Sequence, residues 1–185
     1  MHKEIDEALC AKYPLIFKDR HENMQHTAMC WGFSHGDGWY NILDVLCGML
    51  TGDYRQAKSR YESIKDKVGQ PTFGFRDNGD PVGKIVTQEL IDEAKVKLDE
   101  ETAKVPVASQ VKEKFGGLRF YVNGATDKHW NYISIAENFS YRTCEECGSP
   151  GKTYTDGWHR TLCDIHAAMA GRTEEYQSDE DEGDE

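Results

Sequence analysis

Four residues toward the C-terminal end have the types and spacing that hold a metal ion: Cys144-x-x-Cys147, fifteen intervening residues, then Cys163-x-x-His166. Two ligands three apart grip one ion from a tight turn, and a second such pair completes a tetrahedron. Gly148, directly after Cys147, supplies the positive φ that a knuckle of this kind needs. Asp156-Gly157 lies between two short strand-like pieces, and CDIHAAMAG reads as a helix running from Cys163 to Gly171. Knuckle, hairpin, then a helix whose first turn carries the last two ligands is a treble-clef-like order. Four protein ligands leave no open position for water, so the expected chemistry is structural Zn2+ binding that staples a module too small to build its own core.

A second group, His21, His26, Cys30, His35 and Asp37, crowds into RHENMQHTAMCWGFSHGDGW. Such a crowd suits another metal site or a Cys-His nucleophile pair. Its spacing fits no motif with a defined mechanism, and Trp31, Phe33, Trp39 and the glycines read equally as core and turns. Arg20, His35 and Asp37 are its candidate pocket residues. Farther along, Lys112, Lys114 and Arg119 stand beside Phe115, Phe120 and Tyr121, a mixture that neutralises and stacks a nucleic-acid strand. A solvated strand face explains the same three bases. Gly116-Gly117 lacks the spacing of a phosphate-cradling loop and reads as a hairpin turn.

The elements that must position these residues follow from periodicity. Residues 3–12 place Ile5 and Leu9 four apart, a short amphipathic helix that Pro14 ends. Asp37 to Leu50 is too apolar for an exposed helix and is expected to be the central buried one. Tyr54, Ala57, Tyr61, Ile64 and Val68 mark a surface helix stopped by Gly69. Asp77-Asn78-Gly79-Asp80 is a turn signal within a small hairpin or ordered loop. Thr87 caps a second surface helix that Pro106 bounds. The period then changes to two: Leu118, Phe120 and Val122 alternate with Arg119 and Tyr121, and a β-hairpin is predicted over 107–122. Thr126 or Asp127 caps a last body helix carrying Trp130, Ile133, Ile135, Ala136 and Phe139.

Composition sets the limits. In 185 residues, 38% are hydrophobic and 30% charged, a mixture suited to a folded domain. The net charge of -11 is uneven, because residues 174–185 hold eight of the 33 acids and no Lys or Arg; without them 25 acids face 22 bases. This balance argues against a binder driven mainly by backbone phosphates. MHKEIDEALC lacks the apolar core of a signal peptide, and no stretch approaches the roughly 18 apolar residues of a membrane helix, so a cytosolic, thiol-keeping protein without membrane contact is expected. The predicted class is α+β: a mainly helical body with a small β-hairpin sheet over 1–140, a zinc-binding module over 141–171 and a disordered acidic tail over 172–185.

Three stretches together, CWGFSHGDGWYNILDVLC, VKEKFGGLRFYV and CEECGSPG…GWHRTLCDIH, resemble an uncharacterised family of small proteins common in bacteriophages and prophages. The likeness covers roughly residues 13–166. It implies a viral or mobile-element origin and a site of action in the host cytoplasm, and brings no catalytic assignment. With the closed metal motif and abundant aromatics, the leading expectation is a non-enzymatic interaction protein that binds and inhibits or redirects a host protein or other host macromolecule. The rival expectations are a nucleic-acid-binding accessory protein, and a small hydrolase or nucleotide-sequestering protein using the His21–Asp37 region.

Overall fold

A computed structural model describes residues 1–25 and 27–173. His26 and the acidic stretch from 174 onward lie outside the described residues. Element order is α1 (Lys3–Lys12), β1 (Phe33–Ser34), α2 (Tyr40–Leu50), α3 (Gly52–Ile64), α4 (Gln88–Ala103), β2 (Val107–Lys114), β3 (Gly117–Asn123), α5 (Asp127–Ser140), β4 (Lys152–Tyr154), β5 (Arg160–Leu162) and α6 (Asp164–Met169). Short 3-10 turns cover Ala28–Trp31 and Asp37–Trp39. The class is α+β, and no helix among the described residues is long and apolar enough to cross a membrane.

The chain packs as two units, Met1–Met49 with the segment from Pro106 onward, and Leu50–Val105. The metal-candidate segment therefore shares a unit with α1, α2, α5 and the first sheet, while the separate unit comes from the middle of the chain. In that middle unit α3 and α4 bury Ile64, Val86, Ile91 and Ala94 against each other. Thr87 caps α4 as predicted, its hydroxyl accepting from the Leu90 amide at 3.2 Å. Val68, expected on the apolar stripe of α3, lies beyond the end of the helix and is exposed.

In the first unit, β1-β2-β3 form one sheet, β1 parallel to β2 and β2 antiparallel to β3. Lys112 faces Arg119 and Val111 faces Phe120, so period-two alternation gives the hairpin a charged face and a buried one. Phe17 packs its edge on Phe33 and Phe120, with centroids 5.2 and 6.3 Å away. Outward amides of β3 are taken up by α5: Leu118 N–H donates to Ser140 Oγ and Phe120 N–H to Glu137 Oε1, both at 2.8 Å. The two-residue turn between β2 and β3 holds Phe115 at φ 54 and Gly116 at φ 78. Positive φ at both positions is the requirement of a type I′ turn, and it costs a phenylalanine about 1–2 kcal/mol of backbone strain.

One apolar helix departs from its expected burial, and a second shows the same division of faces. Along α2, Ile42, Leu43, Leu46, Cys47 and Leu50 are buried, yet Val45 and Met49 face outward. On α5, Ile133 and Ala136 are buried whereas Trp130, Ile135 and Phe139 are exposed. Both helices are therefore apolar on two faces and use only one for the core. Leu46→Asp would place an unpaired carboxylate at a site 1% exposed. It should leave little soluble protein, since the cost is several kcal/mol against a total of about 5–15; soluble yield and thermal melting check this, and wild-type behaviour would refute the burial.

Candidate metal centre

Each ligand pair is placed by the backbone around it. Gly148 N–H donates to Cys144 O at 2.9 Å with Gly148 at φ 76, closing the first knuckle. Cys144 N–H donates to Ser149 O at 2.8 Å, and Thr143 bridges Pro150, so the knuckle sits on a narrow turn. The antiparallel β4–β5 hairpin delivers Cys163 to the start of α6, where Ala167 N–H donates to Cys163 O at 2.8 Å and His166 falls in the first turn. Cys144, Tyr154, Leu162 and Ala167 form a small buried cluster beneath.

Ligand atoms of Cys144, Cys147, Cys163 and His166 all lie within 4.8 Å of one another. Cys147 Sγ and Cys163 Sγ are 3.8 Å apart, and His166 Nδ1 lies 3.5 Å from Cys144 Sγ and 3.2 Å from Cys163 Sγ. A tetrahedral ion with bonds of about 2.3 Å to sulfur and about 2.0 Å to nitrogen requires edges of about 3.8 Å between sulfurs and about 3.5 Å between sulfur and nitrogen. These three separations approach such edges within a set that spans up to 4.8 Å, and no disulfide competes, since all six cysteines are free. Burial raises the Cys144 thiol, whereas hydrogen bonds from the Ser149 side chain and backbone bring Cys147 down to about 6. Three thiols and an imidazole so crowded are a metal-compatible site closed on all four sides.

What supports the knuckle from behind was not visible in the motif. A Cβ at Gly38 would lie 2.2 Å from Cys144 O and 2.4 Å from Gly148 N, and one at Gly36 would lie 2.4 Å from Glu145 O. The HGDGW segment is thus pressed backbone to backbone against the knuckle, which only glycine permits. Gly38 N–H donates to Glu145 O at 2.8 Å, Gly36 N–H to Glu145 Oε1 at 3.0 Å, and Trp39 Nε1–H to Thr143 O at 2.8 Å. Glu145 N–H in turn donates to Thr161 O at 2.9 Å. Two glycines alternating with polar residues before a tryptophan are a signal for close backbone approach, though not for which partner.

The other candidates lie apart from the metal centre, in separate local surroundings. Arg20 donates to both carboxylate oxygens of Asp6 at 3.0 and 2.9 Å and to the Met29 and Cys30 carbonyls at 3.2 and 3.1 Å, which ties α1 to the turn before β1. His35 is buried between Phe33 and Trp39, with centroids 5.8 and 5.5 Å away, and burial pushes it down to about 4, so it is neutral. Asp37 accepts from the His2 amide at 2.7 Å and pairs with the His2 imidazole. Arg119 donates to Tyr141 Oη and Leu118 O, both at 2.7 Å. Lys112 and Lys114 lie over the rings of Tyr121 and Phe115.

Comparison of the chain with protein-family models, curated proteins and solved structures gave no match in any of the three. The metal centre therefore stands on its own geometry. Purified protein should carry one metal ion per chain, and Cys147→Ser should reduce the measured content and loosen the β4–α6 region, because binding energy at such a site is largely folding energy. Gly38→Ala should lower metal affinity without touching a ligand and destabilise the fold by about 1–3 kcal/mol through overpacking. Metal analysis and thermal melting measure both; a metal-free chain with undiminished stability would overturn the assignment.

Proposed function

We propose that this protein is a zinc-stapled, phage-type interaction protein that binds a host macromolecule in the host cytoplasm and inhibits or redirects it. Three sulfurs with one imidazole in two closely spaced pairs support zinc as the ion. The sequence of knuckle, hairpin and ligand-bearing helix supports a treble-clef-like reading of the module. A four-ligand site without an open position serves architecture, holding a surface in shape.

One observation carries the binding reading: an apolar groove of about 420 Å³ between α2 and α5, lined by Val45, Met49, Ile135, Phe139, Arg142 and Pro150 among others. Val45 is 62% and Ile135 63% exposed, a costly arrangement for side chains that could face inward. Contiguous apolar surface of this kind marks a site of association. Gly148 and Pro150 of the metal knuckle also line it.

Val45→Asp with Ile135→Asp tests the reading, because both side chains are exposed and the variant should keep its metal and its melting temperature. Affinity capture from infected cells with the wild-type chain should enrich one host component reproducibly, and the double variant should lose it. Equal enrichment by both chains would refute the groove as the binding surface.

A further inference from the structure

We infer that the adjoining tips of the β2–β3 and β4–β5 hairpins form a stacking platform for the unpaired bases of single-stranded nucleic acid. The first tip carries Phe115 in a left-handed conformation that asparagine or glycine occupies far more readily. Its ring stabilises no core in return, being 62% exposed. The second tip carries Trp158, 71% exposed yet not loose, for its Nε1–H donates to Glu113 Oε2 at 3.2 Å. His159 lies edge-on to Phe115 with ring centroids 6.1 Å apart, so the two tips form one patch.

Both tips are held rigidly. Thr161 Oγ1–H donates to Gly116 O at 2.7 Å in a buried bond, and Gly116 N–H donates to Glu113 Oε1 at 2.7 Å. A Cβ at Gly116 would lie 2.8 Å from Thr153 Cγ2, so the turn is seated against the second hairpin. Aromatic faces fixed in advance lose little freedom when a base stacks on them.

Charge selects the occupant. Lys114 Nζ lies 5.3 Å from the Phe115 centroid and Lys112 Nζ 5.7 Å from that of Tyr121, and neither lysine has a carboxylate partner among the described residues. Of the neighbouring acids, Asp156 is paired with Arg172 and Glu146 with Arg160, whereas Glu113 keeps its charge while accepting from the Gly116 amide and the Trp158 indole. An apolar protein surface would bury these two ammoniums unpaired, which is costly. A single strand offers a base for each ring and a phosphate for each lysine.

The test uses the full metal-loaded chain and fluorescein-labelled oligothymidylate and oligouridylate of about 15 nucleotides, read by anisotropy between about 50 and 200 mM salt. Binding of either strand is expected, weakened about tenfold or more by Trp158→Ala and by Phe115→Asn. Asparagine suits positive φ, so Phe115→Asn should melt no lower than wild type while binding worse, the opposite of a structural role. Lys112→Ala with Lys114→Ala should reduce the slope of log affinity against log salt by about 1.4, at about 0.7 per single-strand phosphate. The proposal is overturned if neither strand binds at about 100 μM protein and low salt, if a duplex binds as well as a single strand, or if the two aromatic variants bind like wild type.

Discussion

A backbone-to-backbone contact governs this molecule: the Gly36–Gly38 segment lies so close to residues 144–148 that neither glycine has room for a side chain. Glu145 is the hub, donating its amide to Thr161 and accepting from Gly38 on its carbonyl and from Gly36 on its carboxylate. Each of these groups would be expensive to bury unpaired. One residue thereby joins the turn before α2, the metal knuckle and β5. The position of Cys144 and Cys147 is inherited from the body of the protein, and a bound ion would complete an arrangement that the peptide backbone has already shaped.

Local pattern was enough for most elements and for the ligands. Cys144-x-x-Cys147 and Cys163-x-x-His166 are readable because each pair lies within one turn, so its geometry is set by a few consecutive residues. Thr87, Thr126 and Pro14 marked helix ends for the same reason. Contacts across long stretches of chain were not legible. Nothing near Gly38 names Cys144 as its neighbour, and nothing in VKEKFGGLRF says that the hairpin turns on Phe115-Gly116, one residue before the Gly-Gly pair suggests. Apolar periodicity also cannot separate a side chain that faces the core from one that faces a groove, which is why Val45 was expected inside with the rest of its helix.

The middle unit answers to a different logic. Leu50–Val105 closes on its own apolar contacts between α3 and α4, and its surface is dense with near-neighbour pairs such as Lys95 with Asp99 and Lys97 with Glu101. Near-neighbour pairs of this sort contribute little, so the buried Ile64, Val86, Ile91 and Ala94 carry the stability of the unit.

The clothing of β3 by α5 has a further meaning for how the protein behaves in a crowded cell. A strand edge with open amides is a template on which any extended peptide can add itself, and from there aggregates and fibrils grow. Here two outward amides of β3 end on Ser140 and Glu137 of a helix, and the opposite edge of the sheet is the two-residue strand β1. The three-stranded sheet therefore offers an added strand little backbone on which to grow.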